Sequence, residues 1–160
     1  MGVVMKITER KPLVQIPMVN DYSARDLSRT ARYENIPFAV PSKFPIATVA
    51  ACRAYYWLLQ QDRDTAIRLA HELFRAYFEH DRLISDPQVV EQIAVGIGVD
   101  SVKIAHALQN DQVKLLVREA TDDAVSKNIF GSPFFVVDGE PFWGHDRIAQ
   151  LDAWLKTGGW

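Results

Sequence analysis

Two short stretches near the C-terminus carry residue types that could do chemistry. In Phe130-Gly131-Ser132-Pro133 a proline stands at the entrance of an apolar run, where its missing N–H costs no ladder bond. If the Ser132–Pro133 bond is cis, the N–H and C=O of Ser132 turn outward, free to pair with a peptide-like ligand as an added strand would. If it is trans, Pro133 only opens a strand. In Gly144-His145-Asp146-Arg147, Asp146 suits the N-cap of a closing helix. Arg147 then falls in the first turn, where the helix dipole opposes a cation unless an anion partners it. A guanidinium beside free backbone N–H groups suits a carboxylate, and the adjacent Asp146 suits an ammonium. Together they match the zwitterionic end of an amino acid. The plainer alternative is a helix cap beside a solvated arginine.

Other candidates carry less. His71, His80, His106 and His145 are scattered, and the interval from His71 to His80 is no helical metal spacing. No metal site is expected. Cys52 is the only cysteine, so an intramolecular disulfide is excluded. It lies in an apolar stretch and reads as a buried structural thiol suited to a reducing cytoplasm. Asp122 and Asp123 diverge by about 100° on a helix and read as a solvated face, not as paired catalytic carboxylates. Ser126 and Ser132 belong to no Ser-His-acid pattern. Trp57, Trp143 and Trp154 read as core, with Trp143 also placed to wall a ligand site.

Size and charge narrow the classes. A chain of 160 residues points to one domain with room for an insertion. Its net charge of −2 has no basic stripe, which excludes nucleic acid and anionic membrane as charge-driven partners. No apolar run reaches the roughly 18 residues of a membrane span. The start is too short and weakly apolar for a signal peptide, and Lys6 stands where a myristoylation motif needs Ser or Thr.

The positioning elements follow from periodicity. Residues 1–21 carry an apolar start and then Lys11-Pro12 and Ile16-Pro17, prolines whose spacing forbids a continuing helix and favours extended backbone. A helix is predicted from Tyr22 to Asn35, capped by Asp21 and burying Leu27, Ala31 and Tyr33. Pro37, Pro41 and Pro45 mark a stiff connector. Residues 46–128 read as a helical block. Its first helix is the apolar stretch 46–60, and its second starts near Asp62 or Asp64 with Ile67, Ala70, Phe74 and Phe78 at helical spacing. A third opens at Asp86-Pro87 and runs to about Ala94. A fourth runs from Asp100-Ser101 to about Gln109, and a fifth carries Val113, Leu116, Val117, Ala120 and Ala124 on one face. Phe134 to Val137 is a strand, Asp138-Gly139 a hairpin turn, and Pro141 to Trp143 the return strand. Asp146 to Leu155 closes as a helix with Ile148, Leu151, Trp154 and Leu155 inward. The class is α/β with a large helical insertion.

Joined, Phe-Gly-Ser-Pro, the Asp-Gly hairpin and Trp-Gly-His-Asp-Arg resemble the closing β–β–α of the 2-hydroxychromene-2-carboxylate isomerase and kappa-class glutathione transferase family. Lys11-Pro12, Ile16-Pro17, Asp21-Tyr22, Asp26-Leu27 and the connector from Ile36-Pro37-Phe38 to Phe44-Pro45 resemble it at matching intervals. The resemblance implies a thioredoxin-like fold with an all-helical insertion. It divides the chain into a remnant of the N-terminal half with its connector (1–45), the insertion (46–128) and the closing hairpin and helix (129–160). It implies glutathione as cofactor. The backbone at Ser132-Pro133 would pair with the cysteinyl unit, and Asp146 with Arg147 would hold the γ-glutamyl end. The implied activity is glutathione-dependent cis–trans isomerisation of 2-hydroxychromene-2-carboxylate-like aromatic catabolites in the cytoplasm. Kappa-type glutathione transfer and a truncated, non-catalytic scaffold are the alternatives. Relatives begin with a strand, helix and strand that this chain lacks, and carry the catalytic serine there, so no catalytic residue is expected among these 160. Arg10 and Ala47 stand where relatives often have Asn. The uncovered edge of strand 134–137 predicts a dimer, a swapped arrangement or poor solubility, with a homodimer as the expected partner state.

Overall fold

The computed structural model describes residues 2–160. Among the described residues eight α-helices and one hairpin follow one another: α1 (Gly2–Ile7), α2 (Val19–Tyr33), α3 (Val49–Leu59), α4 (Arg63–Phe78), α5 (Pro87–Gly96), α6 (Ser101–Gln109), α7 (Asp111–Ser126), β1 (Phe134–Val137), β2 (Glu140–Trp143) and α8 (Ile148–Thr157). Short 3-10 turns lie at Leu13–Gln15 and His145–Arg147. The chain divides into two compact units, residues 11–120 and residues 1–10 with 121–160.

In the larger unit, α3 packs against α4, α5 and α6. The helix starts are set locally. The Asp62 carboxylate accepts from the N–H of Asp64 and Thr65 at 3.0 and 3.2 Å, Asp86 from Gln88 N–H at 2.9 Å ahead of Pro87, and Asp100 from Lys103 N–H at 2.8 Å. The core is the stripe Ala66, Leu69, Leu73, Ala76 and Tyr77 of α4 set against Ala54 and Leu58 of α3, Val90 of α5 and Ile104 of α6. It is a different stripe from the helical spacing of Ile67, Ala70, Phe74 and Phe78. Ile67 and Phe74 are exposed, Phe74 to 63%, because α4 is apolar on most of its circumference and the buried stripe runs one residue out of step. Leu27 is likewise not enclosed: with Phe38, Phe44, Phe74 and Phe78 it lines an open apolar cleft of about 390 Å³. Tyr33 faces solvent, and Cys52 is half-buried rather than buried.

The proline connector is tied down as well as stiff. Tyr77 Oη donates to Lys43 C=O at 2.7 Å, Ala39 N–H to Phe78 C=O at 2.6 Å, and Ser42 N–H to the Asp81 carboxylate at 2.9 Å. Ser42, through its side chain first and its backbone N–H second, holds the Asp81 carboxyl below the usual carboxylate range. A depressed folded pKa means the anchor contributes at neutral pH and is lost as pH falls through that lowered value. Acid titration followed by amide exchange is therefore expected to show Ser42 N–H losing protection only below the ordinary carboxylate range. Asp81→Asn should remove that acid step. An unchanged profile in Asp81→Asn would discard Asp81 as the anchor.

The proline segment takes a 3-10 turn at Leu13–Gln15, and α2 starts at Val19 rather than Tyr22, so Asp21 lies in its first turn and does not cap it. Residues 2–7 are helical, Val4 is buried, and Val4 and Ile7 share a shallow pocket with Val125, Ile129 and Phe130. β1 and β2 pair antiparallel with Phe134 opposite Trp143 and Val137 opposite Glu140. Asp138 and Gly139 have φ of 53° and 84°, the two positive values that a two-residue hairpin of right-handed twist needs. Phe142, 6% exposed, is the hairpin's buried anchor; the Trp154 ring of α8 meets it edge-on at 5.8 Å. Ile148 and Leu155, expected inward, are exposed, since α8 turns toward the hairpin only the side bearing Leu151 and Trp154.

Candidate functional site

All four residues singled out from sequence lie in the smaller unit, at one end of the hairpin. Ser132–Pro133 is a cis peptide. Both residues are exposed, and among the described residues neither the N–H nor the C=O of Ser132 takes a backbone hydrogen bond. One donor and one acceptor therefore stand side by side just before β1, the pair that an extended peptide would use.

The chain returns to this point across the hairpin. Gly144 N–H donates to Pro133 C=O at 3.0 Å, so the turn that leads into α8 is pinned to the loop that leads into β1. Gly144 has φ of 106°, and a Cβ there would collide with Asp146 Oδ1. Only glycine lets the Asp146 carboxylate fold back against the turn. Arg147 N–H then closes on Gly144 C=O at 3.3 Å, winding residues 145–147 into a 3-10 turn before α8.

This geometry corrects one expectation. Asp146 does not cap the closing helix. The helix starts one residue later, Arg147 occupies the cap position with helical dihedrals, and no side chain caps it. The Asp146 carboxylate instead accepts from Arg147 Nη1 at 2.9 Å, with both side chains about half exposed. The two opposite charges are satisfied by each other. A zwitterion can replace that pair with two intermolecular ones, its carboxylate on Arg147 and its ammonium on Asp146, leaving no charge unmatched.

A wall completes the site. Trp143, 46% exposed and not the core residue that sequence suggested, lies directly over Gly131, where a Cβ would collide with the indole Nε1. Phe130 meets Trp143 edge-on at 5.0 Å. Above both rings sits the Arg10 guanidinium, 5.7 Å from the Phe130 centroid and 5.3 Å from that of Trp143. Sequence marked Arg10 only as a departure from relatives; its approach to Phe130 is a contact across more than a hundred residues, with no local signal. Ala47, the other departure, is exposed just before α3. Among the described residues no group of three or more His, Cys, Asp or Glu is gathered as a metal site would need, and no helix is long and apolar enough to cross a membrane.

An exposed backbone N–H and C=O at Ser132 and the Asp146–Arg147 pair form the kind of donor set that a peptide with a zwitterionic end would use, and glycines at 131 and 144 keep side chains off the turn. The fold is thioredoxin-like of the DsbA type, mostly helical with a small two-stranded sheet. The chain belongs to the DSBA-like thioredoxin domain family, whose model matches residues 2–156. It is similar to glutathione S-transferase kappa 1 of Caenorhabditis elegans, 27% identical over 168 residues that take in 98% of this chain and 74% of that protein. It is also similar to the 2-hydroxychromene-2-carboxylate isomerase of Sphingobium xenophagum, 25% identical over 130 residues that take in 81% of this chain and 65% of that protein. A solved 2-hydroxychromene-2-carboxylate isomerase structure superposes with a TM-score of 0.87 at 19% identity, over 97% of this chain and 75% of that one. That likeness speaks for the fold.

Proposed function

We propose that the face formed by Ser132, Pro133, Asp146 and Arg147 binds glutathione for a cytoplasmic cis–trans isomerase acting on 2-hydroxychromene-2-carboxylate-like aromatic catabolites. The observation that carries this reading is the Gly144–Pro133 hydrogen bond, which fastens the free Ser132 backbone to the turn bearing the Asp–Arg pair. Ser132 N–H and C=O hold the cysteinyl unit in extended form, and Arg147 and Asp146 take the γ-glutamyl carboxylate and ammonium. Bound glutathione would supply a thiolate able to add reversibly to a conjugated double bond. Trp143 and Phe130 offer flat apolar surface for an aromatic substrate beside it. No side chain among these residues is assigned the task of activating the thiol. Kappa-type transfer of glutathione to an electrophile is the second reading, favoured by the similarity to the Caenorhabditis elegans protein across nearly the whole chain.

The test is calorimetric titration with glutathione beside absorbance assays for isomerisation and for conjugation. Saturable binding is expected, and its absence removes the reading. Where turnover accompanies binding, isomerisation supports the first reading and conjugation the second. Binding with neither reaction leaves a non-catalytic glutathione-binding scaffold.

We also propose that the chain forms a homodimer. Among the described residues the sheet has two strands only, so each strand keeps an unpaired edge, and Val136 of β1 is exposed. Such edges invite strand addition from another chain. Multi-angle light scattering is expected to report twice the chain's 18.1 kDa; a monomer at tens of micromolar would discard the dimer.

A further inference from the structure

We propose that Arg10, seated on the rings of Phe130 and Trp143, is a carboxylate-binding residue that selects anionic ligands at this face. The inference rests on the reading of residues 130–147 as the ligand site and assigns it a second anion contact, separate from Arg147. Four observations carry it. The backbone of Arg10 is fixed: Glu9 takes a left-handed φ of 54° after α1, and Arg10 N–H closes on Met5 C=O at 3.0 Å. The guanidinium lies within cation–π range of two rings, at 5.7 and 5.3 Å. The rings engage the cation without supplying a hydrogen-bond acceptor, so its N–H donors stay available. Finally, Arg10 enters none of the ion pairs or side-chain hydrogen bonds of the described residues, whereas Arg147 is already neutralised by Asp146.

Position ties this cation to the site. The Trp143 indole that supports Arg10 also rests on Gly131, the residue before Ser132. A ligand lying along Ser132 therefore meets an aromatic wall topped by an unmatched positive charge. Flat apolar surface beneath a planar fork of donors suits a carboxylate attached to, or close to, an aromatic ring. Two sources carry that chemistry: the carboxylate of an aromatic substrate and the glycyl carboxylate of glutathione.

The experiment compares each acid with its neutral counterpart in wild type, Arg10→Gln and Arg147→Ala. One arm titrates 2-naphthoate against its methyl ester, the other glutathione against its glycyl monoethyl ester. In wild type the acid is expected to bind about tenfold better than the ester in one arm, as a single charge-assisted hydrogen bond predicts. Arg10→Gln should erase that preference and Arg147→Ala should keep it. The arm that responds identifies the source. The part of the tryptophan emission that Trp143→Phe removes, which comes from the indole under the guanidinium, should shift on binding of the acid in wild type and not in Arg10→Gln. Acid preferences that survive Arg10→Gln in both arms overturn the proposal. If wild type binds no glutathione yet still prefers naphthoate through Arg10, the glutathione reading fails and this one stands.

Discussion

Replacing Arg147 by alanine is expected to weaken glutathione binding roughly tenfold to a hundredfold, as a charge-assisted hydrogen bond of about 1.5–3 kcal/mol predicts. The lower end is favoured because the side chain is half exposed and water screens it. In the free protein Arg147 is held by Asp146 at 2.9 Å, so binding exchanges one ion pair for two. Removing the guanidinium leaves the γ-glutamyl carboxylate facing backbone N–H groups alone and frees Asp146 to repel it. Asp146→Asn should likewise weaken binding, by removing the anionic partner of the ammonium. The double variant is expected to lose less than the sum of the two, since the residues share one ligand end. Titrating all four proteins with glutathione and with des-amino glutathione checks this. Equal affinity in wild type and Arg147→Ala would take Arg147 out of the site.

The second large effect lies far from any chemistry. Leu69→Ala is expected to destabilise the helical unit by about 2–5 kcal/mol, the range for emptying a fully enclosed leucine site. Leu69 has no exposed surface and meets the stripe shared with Val90 and Ile104. The midpoint of thermal unfolding should fall by on the order of 5–15 °C. Phe74→Ala is the comparison: the larger side chain is lost, yet its exposure should hold the cost to roughly 0.5 kcal/mol. Urea unfolding of both variants tests which stripe of α4 is the core. Equal destabilisation would mean that Phe74 is covered in solution.

Much of the chain was legible where structure is decided within a few residues. Asp62, Asp86-Pro87 and Asp100 mark helix starts because a carboxylate reaches an N–H two or three positions on. Asp138-Gly139 marks the hairpin because both residues tolerate the positive φ it demands. The motif from Phe130 to Arg147 could be read for the same reason: its proline, glycines and charges act on near neighbours, and the hairpin joins its two halves.

What spacing could not decide are the choices settled by contacts between distant residues. Helical periodicity allowed two stripes on α4, and only the helices packed beside it select Leu69 over Phe74. Residues 2–7 contain two valines and precede prolines, yet they are helical with Val4 buried. Asp146 suited a cap, but Gly144 is pinned to Pro133 across the hairpin, and the turn so held directs the Asp146 carboxylate to Arg147. Composition, local turns and caps were thus determined by the sequence itself. The buried face of each helix, and the seat of Arg10 on Phe130 and Trp143, were decided by the tertiary structure, because burial depends on what lies across the gap and no local spacing records it.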